Sequence, residues 1–347
     1  MHSIEQLQNI YKNLSVALIN ANNALTDKEA NEVDNFENVG NEIKKISLTL
    51  NENKVAKSII ERTIIETTSE NIETVGANAF AKCSNLTTAN FPVCSNVSDY
   101  AFYYCSSLTN VNFPACTTIG GSAFLDCRSF TDVNFPACTS VGNCAFQNCI
   151  RLANISFPAC ITVGDGAFSY CINLSNIRFP ACITIGAGAF SRCENLVTAD
   201  FPACITIGAG AFSSCKRLMY VSFPDCTTIN VNAFYHCSSL TNVNFPACTT
   251  IGGYTFQSCI NLETANFPAC TSIGTSAFYN AKLLTSLTLA NSSVAILSNK
   301  DAFKSTPMSA SSYTGSFGSI YVPASLVSAY KSATNWVTYA ARITAIT

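Results

Sequence analysis

The most reactive side chains in this 347-residue sequence belong to 19 cysteines and 2 histidines. Eighteen of the cysteines form two series with a constant spacing of 22 residues, Cys83–Cys259 and Cys94–Cys270. Thiolate and imidazole groups are the usual protein ligands of zinc, and zinc sites bring them together in pairs such as C-x-x-C. The sequence has no such pair, and its two histidines are His2 and His236. We therefore expect no metal site.

The spacing of the cysteines is also the spacing of a repeat. Phe-Pro recurs every 22 residues from Phe91 to Phe267, and a second, anchor phenylalanine keeps the same interval from Phe80 to Phe278. A fixed period of about 20–29 residues is typical of a leucine-rich-repeat solenoid. Each coil of such a solenoid buries its apolar residues only against the neighbouring coils. Nine full repeats span residues 86–283, so the sequence predicts this fold.

The stretch FPACITIGAGAF, which occurs at Phe179–Phe190 and again at Phe201–Phe212, shows how one repeat is used. Its two phenylalanines are expected to fill the core. Pro180 is expected to end a strand, because proline has no N–H to donate. Gly186 is expected to permit a tight bend.

The cysteine columns admit two interpretations. Neighbouring coils lie about 4.8 Å apart, which is close enough for disulfides. However, nine cysteines in a column cannot all pair, and each bridge requires a particular torsion. Cysteine also packs as a small buried apolar residue. The sequence favours this second interpretation, with reduced thiols that suit assembly in a reducing cytosol; only Cys144 lies outside both columns.

The sequence contains no recognisable catalytic constellation. Catalysis requires titratable groups held together with suitable pKa values. His236 follows Tyr235 without a repeated Asp or Glu nearby, and the cysteines are too regular to be reactive nucleophiles. Gly186–Gly188 is not expected to be a phosphate loop, because it lies in a coil and does not open a helix. We predict a protein that is not an enzyme and uses no cofactor.

Composition excludes further classes of function. The chain is 48% hydrophobic and 12% charged, with a net charge of −2. It therefore lacks the basic surface that nucleic-acid binding requires. No apolar stretch approaches the length of a membrane span, so no membrane insertion is expected. The first residues, MHSIEQLQNIYKNL, have no basic start followed by an apolar run, so no secretory signal is expected in the sequence as given.

Three regions are predicted. Residues 1–46 read as a helical, coiled-coil segment, because Ile4, Leu7, Tyr11, Leu14 and Leu18 recur at steps of three and four. Such a stripe could assemble chains into a homo-oligomer through residues 3–46, or fold back as a cap on the first coil. Residues 47–306 form the solenoid.

Residues 307–347 read as a C-terminal cap. A last strand is predicted at Ile320–Val322, and Ser325 is expected to cap a short helix that ends near Asn335. Trp336 is expected to cover the open end of the core, because an uncovered terminal coil is an adhesive edge.

Two rows of variable residues are candidate binding surfaces. The first lies on the strand face and includes Arg178, Asp200 and Tyr220. The second follows the anchor phenylalanines, and its candidates are Tyr103, Tyr104, Asp126, Asn148, Tyr170, Arg192, Tyr235, His236 and Tyr279. Tyrosine, serine, asparagine and arginine are also favoured in antibody binding loops. The alternative is that these residues only fill soluble turns, where asparagine and serine are common.

The repeat unit AFSSCKRLMYVSFP resembles the BspA-like leucine-rich repeats of bacterial surface proteins over roughly residues 64–290. The resemblance implies an α/β-type solenoid that is right-handed and curved, with one parallel strand per 22-residue coil and no catalytic residues. LINANNALTDKEANEVDNFENVGNEI and SIYVPASLVSAYKSATNWVTYAARITAI are similar to the ends of tail or fibre proteins of phages that infect gut Firmicutes. LTDKEAN lacks the glycine common at that turn.

These observations favour a non-catalytic recognition protein. The leading hypothesis is a phage tail or fibre component that binds a host-surface protein or glycan. It would be assembled in the host cytoplasm and located in the virion tail. One alternative is a BspA-like adhesin at the bacterial cell surface, and another is an intracellular scaffold for protein–protein interactions.

Overall fold

The computed structural model describes residues 66–68, 71–309 and 317–347. These residues form a parallel-strand β-solenoid of about 12 turns, with about 22 residues per coil. The predicted leucine-rich-repeat solenoid is therefore confirmed. The predicted helical segment, residues 1–46, and the predicted start of the solenoid lie outside the described residues.

Each coil contributes two strands, where one was expected. The first is a three-residue strand just before the Phe-Pro pair, and the series of these strands continues into the C-terminal region. Its members are Glu66–Thr68, Thr88–Asn90, Asn110–Asn112, Asp132–Asn134, Asn154–Ser156, Asn176–Arg178, Thr198–Asp200, Tyr220–Ser222, Asn242–Asn244, Thr264–Asn266, Ser286–Thr288, Ser319–Val322 and Ile343–Ala345.

The second strand has two residues and follows the second cysteine column. Its members are Thr74–Val75, Asn96–Val97, Thr118–Ile119, Ser140–Val141, Thr162–Val163, Thr184–Ile185, Thr206–Ile207, Thr228–Ile229, Thr250–Ile251, Ser272–Ile273 and Ile296–Leu297. Adjacent strands pair in parallel at the repeat spacing, as Thr162 does with Thr184. The chain therefore stacks equivalent positions directly above one another.

The two rows of strands differ in continuity. The two-residue strands form one 11-stranded sheet, whereas the three-residue strands are divided into separate sheets. Each division falls between coils whose central strand residues are both β-branched, namely Val111 and Val133, Ile155 and Ile177, and Val221 and Val243. Alanine at this position, as in Ala199, allows pairing on both sides. We attribute the divisions to crowding between branched side chains in neighbouring coils. Val133 and Ile155 are the exception, because both are β-branched and their strands still pair.

Two stacks of phenylalanine rings fill the core. The anchor ring of Phe190 lies 5.3 Å from that of Phe168 and 5.4 Å from that of Phe212, both nearly parallel. It also meets the rings of Phe179 and Phe201 at steep angles, with centroids 5.8 Å away. Such offset and edge-to-face contacts are the favoured geometries of aromatic pairs. Repetition of the two phenylalanines thus produces one continuous aromatic core.

The two cysteine columns are buried beside these rings, as predicted. In the first column the thiol points to a carbonyl of the preceding coil, and Cys193 Sγ lies 3.2 Å from Phe168 O. In the second column it points to a carbonyl two residues later, and Cys182 Sγ lies 3.3 Å from Thr184 O. The thiols therefore serve as small core groups that also satisfy backbone oxygens. Cys144 is only partly buried.

The role predicted for Gly186 was wrong. A Cβ at this residue would lie 2.5 Å from the backbone nitrogen of Asp165 and the carbonyl carbon of Gly164. Glycine is used here because two coils approach closely, and not because the backbone bends. The left-handed glycine is Gly188, with φ +61°.

The C-terminal region closes the solenoid. A 3₁₀ turn at Ala324–Leu326, an α-helix at Val327–Ser332 and a 3₁₀ helix at Trp336–Arg342 precede the final strand. The indole of Trp336 is buried, packs 6.0 Å from the ring of Phe303, and donates its Nε1–H to Ala295 O at 2.7 Å. The predicted cap is confirmed.

Two details of this region were predicted wrongly. Ser325 lies within the 3₁₀ turn, and no side-chain cap hydrogen bond begins the helix, which ends at Ser332 and not near Asn335. The strand Ile343–Ala345 was not foreseen. It extends the sheet by pairing with Ser319–Val322.

Candidate recognition surface

One column of residues adopts the left-handed backbone conformation in ten successive coils. We call it the turn rail. Its φ values lie between +58° and +65°, and its members are Lys82, Tyr104, Asp126, Asn148, Tyr170, Arg192, Ser214, His236, Ser258 and Asn280. Each backbone N–H donates to a carbonyl of the next coil, as from Tyr170 to Ser191 at 2.8 Å. The turn rail is therefore held in place by coil stacking.

The absence of glycine from the turn rail is informative. The left-handed conformation costs a residue other than glycine about 1–2 kcal/mol. A second left-handed column in the same turns uses glycine in three coils, at Gly166, Gly188 and Gly210. The turn rail instead carries a side chain in all of its members. Strained residues of this kind persist where the surrounding structure holds them, and they cluster at functional sites.

The cost of this conformation can be measured with two opposite substitutions. Gly188→Ala is expected to destabilise the protein by about 1–2 kcal/mol, because it places a Cβ in the left-handed region. Ser214→Gly, which removes a Cβ from the same conformation, should leave stability unchanged or raise it by up to about 1 kcal/mol. Urea unfolding of both variants provides the comparison. If both lose stability equally, the side chains on the turn rail are not strained.

The structure places most predicted residues of the second row at the surface. Tyr104, Tyr170, Arg192 and His236 are exposed. Half-buried positions are occupied by Tyr103, Asn148, Tyr235 and Tyr279. Asp126 was predicted as a surface residue, and this was wrong, because only 6% of it is exposed.

Asp126 is buried because its carboxylate organises a polar cluster. Arg128 donates from Nε to Asp126 Oδ1 at 2.8 Å, and Asn148 donates from Nδ2 to the same oxygen. The Asp126 charge, the neighbouring Tyr103 and a hydrogen bond to Asp126 together raise the pKa of Tyr104. The carboxylate thus joins Arg128 of its own coil to Asn148 of the next coil.

Two further pairs form along the second row. The guanidinium carbon of Arg192 lies 5.2 Å from the ring centroid of Tyr170, within the range of a cation–π contact. The rings of Tyr235 and His236 meet edge to face at 4.2 Å. The second row is therefore a series of ordered local groups.

The strand face is organised differently. Arg178 and Asp200 form an ion pair between neighbouring coils. Amide side chains on this face also contact their equivalents in the neighbouring coil. For example, Asn112 Nδ2 donates to Asn90 Oδ1 at 2.7 Å. Arg178 and Asp200 are thus paired with each other across two coils, and Tyr220 is 62% exposed.

Sequence reasoning missed Tyr100 and Arg128. Tyr100 is 45% exposed and belongs to the second left-handed column, whose residues are asparagine, tyrosine, serine, cysteine or glycine. Its ring lies 5.6 Å from that of Tyr103. The run Tyr100-Ala-Phe-Tyr103-Tyr104 was the available signal, because three tyrosines occur within five residues.

Among residues 66–68, 71–309 and 317–347, no group of three or more His, Cys, Asp or Glu side chains could hold a metal ion. In the same part of the chain, every helix is too short or too polar to cross a membrane.

Comparison with known proteins identifies the repeat. The family described as BspA type leucine rich repeat region (6 copies) matches residues 33–129, 95–218 and 205–324. Repeat solenoids of this type are generally non-catalytic binding scaffolds, and no enzyme family is indicated. No curated protein matches the chain.

Many solved structures are similar to this chain, including three of bacterial leucine-rich-repeat proteins. A leucine-rich cell surface protein from Faecalibacterium prausnitzii shares 22% identity, with 64% of this chain and 78% of that chain covered, at a TM-score of 0.34. A leucine-rich repeat protein from Bacteroides ovatus shares 19% sequence identity, with 82% of this chain and 92% of that chain covered, at a TM-score of 0.37. A leucine-rich repeat protein from Eubacterium ventriosum shares 18% sequence identity, with 72% of this chain and 84% of that chain covered, at a TM-score of 0.42. Because the family match extends over most of the sequence and the repeats form the observed solenoid, this chain belongs to the BspA-type leucine-rich-repeat family.

Proposed function

We propose that this protein is a non-catalytic attachment protein that binds a host-surface protein or glycan through its turn rail. The observation that carries the proposal is the retention of side chains at every left-handed position of the turn rail, although glycine would be less strained. The exposed tyrosines, Tyr104 and Tyr170, provide contact area with little conformational freedom to lose, and the exposed Arg192 and His236 add hydrogen-bonding groups. Leucine-rich-repeat proteins generally bind other proteins or glycans.

The proposal is tested by replacing the exposed members of the turn rail together. A variant with Tyr104, Tyr170, Arg192 and His236 changed to glycine keeps the backbone conformation. It is expected to lose at least about tenfold in affinity for target cells, equivalent to about 1.4 kcal/mol. Fluorescently labelled protein and flow cytometry on a panel of gut Firmicutes strains provide the measurement.

The matched control changes the strand face. Arg178→Ser, Asp200→Ser and Tyr220→Thr remove the exposed features of that row, and this variant should attach as the unmodified protein does. Loss of attachment in the control with retention in the turn-rail variant would place binding on the strand face and overturn the assignment.

Two carriers of this activity are proposed. The flanking segments resemble phage tail or fibre proteins, which supports a component of the virion tail. Family membership supports an adhesin at the bacterial surface, because BspA-like proteins are typically bacterial surface proteins. Antibody labelling in electron microscopy separates the two: gold on the tails of particles supports the first, and gold on cell envelopes supports the second.

The remaining predictions concern organisation. The boundaries at residues 46 and 306 stay proposals, as does assembly of chains through residues 3–46. Assembly would complement the proposed attachment, because linked weak sites gain avidity without new contacts.

A further inference from the structure

One end of the turn rail is strongly aromatic. Tyr100, Tyr103 and Tyr104 lie side by side, with ring centroids 5.6 Å apart for the first pair and 4.4 Å apart for the second. The rings meet at steep angles of 82° and 67°. Tyr100 and Tyr104 are 45% and 44% exposed, so both present ring surface to solvent. This aromatic cluster presents the exposed faces and edges of separate tyrosine rings to solvent.

The polar groups next to the aromatic cluster are ordered before any ligand arrives. The nearly buried Asp126 carboxylate accepts hydrogen bonds from Arg128 and Asn148, and its charge raises the pKa of Tyr104. Arg128 has five N–H donors, and its Nε and one Nη contact Asp126. Its side chain is 52% exposed, so the guanidinium can also donate to a ligand. Arg128 and Asn148 thus provide ordered donors in the two coils that follow the tyrosines.

The charges around the aromatic cluster balance. Asp126 is paired with Arg128 at 2.7 Å, and the flanking positions hold one exposed base, Lys82, and one exposed acid, Asp99. An uncharged ligand leaves the ion pair intact. An acidic ligand would compete with Asp126 for Arg128, and a basic one would compete with Arg128 for Asp126.

The backbone of this region has little to offer a peptide. The N–H groups of Tyr100, Tyr104 and Asp126 already donate to carbonyls of the next coil, at 2.9, 2.8 and 3.0 Å. A peptide therefore cannot add as a strand through these groups, as strand addition requires unpaired backbone.

A neutral sugar fits these constraints. Its ring has apolar C–H faces that stack on aromatic rings, and a rim of hydroxyl groups that accept from amide and guanidinium donors. Resting on the function proposed above, we propose that Tyr100, Tyr103 and Tyr104, with Arg128 and Asn148, form a binding site for an uncharged glycan. Asp126 is a positioning residue that holds both donors.

The test uses neutral disaccharides and two matched variants of the whole chain. Cellobiose, lactose, chitobiose and mannobiose are the probes, and saturation-transfer NMR reports which of their ring protons contact the protein. At least one should bind the unmodified protein through its C–H face. Tyr104→Gly should lower the affinity at least about tenfold. Tyr254→Gly, which removes a 41% exposed tyrosine from a left-handed position of the second left-handed column, seven coils away from Tyr100, should bind as the unmodified protein does.

A graded variant separates stacking from positioning. Tyr104→Phe keeps the ring and removes its hydroxyl, so it should retain contact with the C–H face while binding a few-fold more weakly. Urea unfolding of each variant verifies that the fold persists. Failure of all four sugars to bind the unmodified protein overturns the inference, as does undiminished binding by Tyr104→Gly.

Cell attachment measured in parallel distinguishes this inference from the function on which it rests. If the turn-rail variant loses attachment but no sugar binds, attachment stands and the glycan site is wrong. If Tyr104→Gly loses the sugar while the turn-rail variant still attaches to cells, the glycan site stands and the proposed attachment surface is wrong.

Discussion

Raising the pH from about 8 to about 11 is expected to unfold the solenoid cooperatively, because unfolded cysteines ionise near pH 8.5. Burial raises the pKa of the column thiols, to about 12 for Cys171 and Cys182 and to about 11 for Cys226. The folded chain therefore holds its thiol protons over a pH range in which the unfolded chain has lost them.

The direction of the effect follows from proton binding. Below about pH 8.5 both states hold the thiol protons, and the stabilisation is complete. As the pH rises towards about 12, each thiol that ionises only on unfolding costs about 1.4 kcal/mol of stability per pH unit. Summed over the thiols of the two columns, the stability lost over one pH unit exceeds the total of about 5–15 kcal/mol that is usual for a folded domain.

Circular dichroism and the ultraviolet absorbance of thiolate, followed together in a pH titration under reducing conditions, provide the measurement. The two signals should change in the same narrow range. As a control, a variant with Cys171, Cys193 and Cys215 changed to alanine should show a shallower dependence of stability on pH. Gradual appearance of thiolate in a chain that keeps its β-sheet signal would show that the columns are accessible.

Phe190→Ala is expected to destabilise the protein by about 3–5 kcal/mol, the usual loss for a buried phenylalanine. The side chain is fully buried and contacts four other phenylalanine rings, so its removal leaves a cavity that interrupts both stacks. Urea unfolding gives the change in free energy.

Ser214→Ala is the control for this substitution. Ser214 lies on the turn rail, where the change removes only a hydroxyl, and the expected cost is below about 0.5 kcal/mol. Equal losses in the two variants would mean that the inward and outward faces of the coil have been assigned the wrong way round.

The fold was predictable because the strongest constraints repeat. The residue types at Phe190 and Cys182 recur every 22 residues. They recur because each side chain packs against the equivalent side chain of the next coil, so the constant spacing is visible in the sequence. Trp336 was predictable for a related reason. A large aromatic residue after the last repeat is suited to cover a core that would otherwise be open.

Other features depend on distances between coils, which a single repeat does not encode. Gly186 was predicted to permit a tight bend, but glycine is required there because the backbone of the preceding coil leaves no room for a Cβ. Asp126 was taken as exposed, because its burial depends on partners two residues away and in neighbouring coils. The left-handed conformation of the turn rail was missed, since residues such as Tyr170 and Arg192 do not normally signal it.

The near-identity of the interfaces between coils has an evolutionary consequence. Phe179–Phe190 and Phe201–Phe212 have the same sequence, and the Phe190 ring meets its two neighbours in the anchor stack at almost equal distances. Gain or loss of one 22-residue unit in the gene would join surfaces that already match. Such an event would move the Tyr104 and His236 groups apart or together by one coil, about 4.8 Å. The lineage could thus adjust the reach of its contacts in fixed steps, while the chemistry at each end stays as it is.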